Sequence, residues 1–281
     1  MVNVNDIDWN EAWKKPESDS SKKKGFLTCS DRWSDPDRCK KFSQSVQENN
    51  FAASRPRIHA MNISPDFRIL DVGAGPGTLA VPLAGMVRHV TAVEPSECMR
   101  ACLSETMDEL SIRNITIVPK LWEDVDISKD LVPPYDLVVA SYSLGFPDLR
   151  EGLLKMAEVS SLYVYIFWFA DMISPWQKNY GEIWEPLYGI SIQEYRKPNI
   201  IFNLLHQMGI YANVEVTKEE QVQRFSSIEQ AVQDQGAGLN LTTPEQFDIL
   251  RKYLGMKLQE EGGVYVLRSV SPRAMIWWKR D

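Results

Sequence analysis

The sequence predicts an α/β fold: a mostly parallel β-sheet, closed by an antiparallel pair and covered by helices on both faces. Three observations carry this reading. From Phe67 onward, short β-rich runs alternate with helical stretches, the order that yields a parallel sheet with crossover helices. A glycine-rich segment, Gly73-Ala74-Gly75-Pro76-Gly77, joins the first run to the first helical stretch. The last two runs, 213–224 and 264–278, are long and alternating enough to pair antiparallel.

Taken in order, the first sixty residues are polar and helix-prone, with a loop over 16–25, and are expected to form an N-terminal helical cap (1–60) on a domain spanning 61–281. Within 31–50, Trp33, Phe42 and Val46 stand among many charges, the pattern of a helix lying on a surface. Strands are predicted at 68–72, 89–93, 116–118, 137–141 and 162–168, with helices at 78–86, 97–110 and 150–157. Right-handed crossovers then leave few topologies. Two insertions follow, an aromatic-rich one at 171–209 and one at 226–262 that reads as two helices. The second of these helices starts at Thr243-Pro244-Glu245-Gln246, with a threonine cap, proline at the first helical position and an acid in the first turn.

Of the 281 residues, 44% are hydrophobic and 25% charged, ordinary for a soluble chain that buries a real core. The longest apolar run, 162–170, falls short of the roughly 18 residues that span a bilayer. Val2 to Asp6 lacks the basic-then-apolar order of a signal peptide, so a cytoplasmic protein without a membrane partner is expected. A net charge of −7 argues against a nucleic-acid partner, and the basic run Lys22 to Lys24 reads as a solvated loop. Cys29, Cys39, Cys98 and Cys102 form no CxxC pair and are expected as reduced, mostly buried thiols. His59, His89 and His206 are scattered, so neither a metal cluster nor a Ser/His/Asp arrangement is predicted.

The chemistry concentrates in Ile69-Leu70-Asp71-Val72-Gly73-Ala74-Gly75-Pro76-Gly77-Thr78. Glycines let the chain turn sharply and let a ligand approach the main chain. The helix that follows offers free N–H groups and a positive dipole end to a polar or anionic group. A dinucleotide fingerprint would place its third glycine three residues after the second, and a phosphate loop would end in Gly-Lys-Ser/Thr. Neither fits, because Gly77 follows Gly75 at two residues and is itself followed by Thr78 and Leu79. An acid, Glu94, ends the next predicted strand, where a carboxylate can accept hydrogen bonds from vicinal ribose hydroxyls.

With Asp71 before the glycines and Glu94 after them, the segment resembles the first motif of class I S-adenosylmethionine-dependent methyltransferases, close to D-x-G-x-G-x-G. The resemblance implies a Rossmann-like sheet of seven strands with an antiparallel final strand, and S-adenosylmethionine as cofactor. It places Gly73, Ala74, Gly75 and Gly77 beneath the methionine moiety, Asp71 at its amino group, Glu94 on the ribose, and Pro95 and Met99 beside the adenine. After the third strand, Leu121 occupies the position where the family usually has an acid, so the adenine contact falls to Trp122 and Glu123, with Asp124 facing water. Ser141 and Tyr142 end the fourth strand, which in the family faces the sulfonium. No Asn/Asp-Pro-Pro-Tyr/Phe stands there, which counts against base methylation. The ends, Asp8 to Trp13 and Ala274 to Trp278, have the texture of methyltransferase-like proteins of methanogenic archaea.

The resemblance thus implies methyl transfer to an unidentified acceptor, and the net charge and the missing motif favour a small molecule. A non-catalytic cofactor-binding protein of the same fold and an NAD-dependent oxidoreductase are the alternatives. Trp176, Tyr180 and Trp184 lie at helical spacing, which suits core packing; as a lid they would be candidate substrate contacts, cradling a sulfonium through cation–π attraction. No general base is assigned; Tyr142, Tyr180, Glu182 and Glu185 are conceivable ones.

Overall fold

The computed structural model describes residues 7–14, 33–48, 50–171, 175–191 and 198–280. At its centre lies β1 (Arg68–Val72), whose last four residues are all buried. It is flanked by β2 (His89–Val93) and β4 (Tyr135–Ser141), and the sheet continues outward to β3 (Ile115–Val118) and β5 (Ser160–Phe169). All four pairings among these strands are parallel. Beyond β5 come β8 (Val264–Lys279) and the edge strand β6 (Asn213–Phe225), in the order β3-β2-β1-β4-β5-β8-β6. β8 runs antiparallel to both of its neighbours.

Side chains alternate across the strands, so neighbouring residues feed opposite cores. Leu70, Val72 and Val138 join a cluster with Trp13 of α1 (Trp9–Lys14), Leu153 of α7 (Leu149–Val159) and Leu204 of α10 (Pro198–Gln207). Ile69, Val90 and Leu137 join the other, with Val46 of α2 (Pro36–Gln47), Ile58 of α3 (Arg55–Ala60), Leu83 of α4 (Ala80–Ala84) and Leu103 of α5 (Glu97–Glu109). The short α6 (Ile127–Asp130) and α8 (Pro175–Asn179) complete the sheet's connections. The predicted layers are present, and the segment expected as a cap supplies side chains to both cores. Trp13 is fully buried and its indole N–H donates to the Phe146 carbonyl at 3.0 Å.

A third cluster stands apart from these two. It joins Trp184 of α9 (Gly181–Tyr188), Val232 of α11 (Ile228–Gly238) and Leu250 of α12 (Pro244–Lys257) to Phe225. The cap of α12 is the one predicted: the Thr243 side chain accepts from the Gln246 amide and the Gln246 side chain returns to the cap backbone. The β6–β8 ribbon carries this unit. It leaves the rest of the sheet at Phe169–Arg273 and continues alone to Phe225–Tyr265.

Two expectations change. The sheet has an eighth strand, β7 (Gln259–Glu261), inside a segment read as helical. Gly262 and Gly263 both take positive φ, 59° and 84°, and turn β7 back onto β8, as a two-residue hairpin requires. Three charged or polar residues carry no period-two signal, so only the Gly-Gly pair marked it. Cys39 and Cys98, expected as thiols, form a disulfide between α2 and α5 with Cα atoms 6.1 Å apart, while Cys102 is free. They lie 59 residues apart, and only helix packing brings them together. Among the described residues no helix is long and apolar enough to cross a membrane.

Replacing Trp13 by alanine should destabilise the whole domain by about 3–5 kcal/mol. Urea unfolding should show this as a lower midpoint in a single transition rather than early loss of the N-terminal segment alone.

Candidate functional site

The parallel strands all point their carboxyl ends at one edge, the place where open α/β sheets bind ligands. There β1 passes into the glycine loop, and the amides of Gly73 and Ala74 donate to the Val93 carbonyl at 2.8 and 3.1 Å. Gly73, Gly75 and Gly77 have φ of 73°, 58° and 89°, values that side chains other than glycine's rarely tolerate. The three glycines serve different ends. A Cβ on Gly73 would stand 2.3 Å from the Ser143 Cβ, and one on Gly77 would stand 2.5 Å from Val81 Cγ2, whereas one on Gly75 meets nothing within 4 Å. Packing requires the first and third; the middle one presents bare main chain to open space.

Glu94 leaves β2 buried, 7% exposed. One carboxylate oxygen accepts the Gly75 amide at 2.8 Å and the other the Ser96 amide at 2.8 Å. Burial pushes its pKa up, against those two amides and the nearby Arg100. Each oxygen has a second lone pair to offer, so the carboxylate can still take two hydroxyl donors. Ser96 caps α5 by accepting the Met99 amide. Pro95 is exposed beside this turn, and Met99 is 2% exposed.

Asp71 is the second buried acid, 2% exposed. Its Oδ2 has no hydrogen-bond partner. Burial, with a contribution from the charge of Glu94, raises its pKa to about 7, against Arg57 and the Ala80 amide. A carboxylate kept out of water beside an open main-chain turn is suited to a cationic ligand group.

At the end of β4, Ser141 accepts from Arg57 Nη1 at 2.6 Å. Tyr142 has φ 58°, a left-handed conformation that is costly for a side chain of this size. Its ring lies 4.9 Å from that of Phe169. Two guanidinium groups face it, Arg57 at 5.5 Å and Arg273 at 5.2 Å from the ring centroid. The Arg273 Nε donates to Glu219 at 2.8 Å.

Comparison with known proteins agrees with this geometry. Residues 69–161 match the family described as "Methyltransferase domain". This stretch is thus similar to methyltransferase domains. A protein of Haemophilus influenzae is 30% identical over 183 residues, covering 64% of each chain. A Methanothermobacter thermautotrophicus protein named as a probable ribosomal RNA small subunit methyltransferase A is 37% identical over 147 residues, 50% of this chain and 51% of that one. The matches thus span between half and two thirds of these relatives' lengths. The fold recurs in the YcgJ protein of Bacillus subtilis, 15% identical, with a TM-score of 0.51 over 80% of this chain and 97% of that one.

In the structure the glycine loop, Asp71, Glu94, Pro95, Met99, Ser141 and Tyr142 gather at one edge of the sheet. Trp122 does not join them as expected. Its side chain is 3% exposed, its indole N–H donates to the Gly152 carbonyl at 3.0 Å, and it belongs to the core under α7. Glu123 stays half-buried beside it, its carbonyl taken by Lys155, and Asp124 is exposed. The aromatic lid is also corrected. Tyr180 and Trp184 are 1% and 5% exposed within the third cluster, and the Tyr180 hydroxyl donates to Gln235 at 2.5 Å. Their spacing served packing. The side chain of Trp176 lies outside the described residues. Of the conceivable bases, Glu182 pairs with Lys257 on the surface and Glu185 is exposed, which leaves only Tyr142 at this edge.

Arg57, Arg273 and Ser143 are the site residues the sequence did not mark. No spacing rule links an arginine in a polar leader, or one in the last strand, to a glycine loop. A separate hollow of about 580 Å³, bordered by Phe51, Arg55, Val81, Gly85 and Asn114, shares no residue with the glycine loop.

Between about pH 4 and about pH 7, Asp71 is protonated in the folded chain and ionised in the unfolded one. Folding then takes up a proton, so this group lowers stability as the pH rises through that window. The Asp71→Asn variant should therefore gain on the wild type by up to about 1.4 kcal/mol per pH unit there. Urea midpoints at pH 5 and pH 8 measure the difference.

Proposed function

We propose that the chain binds S-adenosylmethionine at the edge formed by β1, β2 and β4 and transfers its methyl group to a small-molecule acceptor. The observation that carries this is the open Gly75 main chain set between two buried acids, Glu94 and Asp71. The residues fit such a cofactor. Glu94 would accept the ribose hydroxyls with its free lone pairs, Pro95 and Met99 would border the adenine, and the unpartnered Asp71 Oδ2 would receive the ammonium group, which returns the acid to its ionised form. When bound, the cofactor supplies an already activated methyl group.

What remains for this chain's side chains is to align an acceptor and keep water out. Ser141, Tyr142 and Phe169, at the ends of β4 and β5, stand where the acceptor would meet the donor. The Tyr142 hydroxyl is held high by burial, partly offset by Arg273, so it suits hydrogen bonding more than proton abstraction at neutral pH. The net charge of −7 and the β4 ending Ser141-Tyr142-Ser143-Leu144 support a small acceptor over a nucleic acid. The Methanothermobacter relative, half of which is matched, is the observation on the other side. It accords, as does the texture of the two ends, with an archaeal source.

S-adenosylhomocysteine should raise the melting temperature further with each tenfold increase in its concentration, while NAD leaves it unchanged. The Glu94→Gln variant should bind it about tenfold or more weakly in calorimetry. Incubation with methyl-labelled cofactor and cell extract should then give a labelled product. Tight binding without any labelled product would favour the non-catalytic alternative.

A further inference from the structure

The two arginines at the end of β4 are only partly satisfied. Arg273 is 8% exposed, yet its Nη1 has no hydrogen-bond partner. Arg57 is half-buried and its Nε is likewise buried without one. A buried donor left unpaired is costly, and more so when the group is charged. Two such donors face the same tyrosine ring, and the Arg273 guanidinium also lies 4.8 Å from the Phe169 ring. The rings lie beside both guanidinium groups, and each group keeps one donor without a protein partner.

Charge points the same way. Glu219 is the carboxylate paired with Arg273, and no ion pair engages Arg57 among the described residues. Burial lowers the Arg57 pKa and the charge of Arg273 lowers it further, while Tyr142, Glu219 and Asp71 act against this. The two guanidinium groups thus have one directly bonded carboxylate, on Arg273, with Asp71 near half-ionised at neutral pH. An oxyanion would balance the excess and occupy both free donors, in the manner guanidinium groups suit best.

Resting on the methyl-transfer reading above, we propose that Arg273 and Arg57 form an oxyanion site beside Tyr142, and that the methyl acceptor is a small molecule carrying a carboxylate or phosphate. The same chemistry could be filled by the amino-acid carboxylate of the methyl donor, and the test separates the two.

Inorganic phosphate, at constant ionic strength, is titrated calorimetrically into the full chain with and without saturating S-adenosylhomocysteine. Phosphate should bind the loaded chain. Glu219→Gln, which removes the competing negative charge without removing either arginine, should tighten it about threefold or more. Adding Arg273→Met to Glu219→Gln should weaken it about tenfold or more while leaving S-adenosylhomocysteine affinity unchanged. A purely structural ion pair predicts no gain in the first variant. Displacement of phosphate by S-adenosylhomocysteine would assign the site to the donor's carboxylate and overturn the acceptor proposal. Absence of phosphate binding, or binding indifferent to Arg273, would overturn the site itself. Arg273-dependent phosphate binding in a chain that never binds S-adenosylhomocysteine would keep the oxyanion site and remove the methyl-donor reading instead.

Discussion

One buried carboxylate ties together the loops on which the site depends. Glu94 receives the Gly75 amide from the turn after β1 and the Ser96 amide from the turn after β2, so the two loops leave the sheet with a fixed separation. Charge-assisted bonds of this kind are roughly twice as strong as neutral ones, which offsets part of the cost of burying the acid. The Gly73 and Ala74 bonds to the Val93 carbonyl brace the same junction from below. Without this tie the start of α5 and the open Gly75 surface would have no common frame.

The donor side and the acceptor side of the edge are made differently. On the glycine-loop side, main chain and two buried acids form the surface, and side chains such as Val81, Leu103 and Ser143 press against the glycines from behind. On the acceptor side, β4 ends in a strained tyrosine held between aromatic and cationic neighbours. Strain of about 1–3 kcal/mol persists only where the surroundings over-determine a conformation, and here a Phe169 ring and two guanidinium groups do so.

Legibility in the sequence followed the range of the forces involved. β1 and β2 were placed to the residue because their periodicity is local, and the glycine loop because each of its residues faces a backbone requirement. Thr243 announced its helix because a cap is decided within four residues. Trp122 misled, and the lid alternative for Tyr180 and Trp184 failed while their packing held, because an aromatic residue reads alike whether it meets a ligand or a helix. The Cys39–Cys98 bridge, Arg57 and Arg273 were silent because each acquires its meaning from a partner that only the assembled sheet supplies.

The lone β6–β8 ribbon carries a mechanical implication. From Arg273 to Tyr265 it projects about eight residues, roughly 27 Å at the usual rise per residue, before reaching the third cluster. It is a cantilever: its root sits at the reaction edge and its load is a helical module. A slip of one residue against β5 would turn Arg273 to the opposite face, so the root tolerates no adjustment. The free span is under no such rule. Its far end answers to the third cluster instead, where Phe225, Tyr265 and Leu267 pack, while the root stays registered with the sheet that carries the glycine loop.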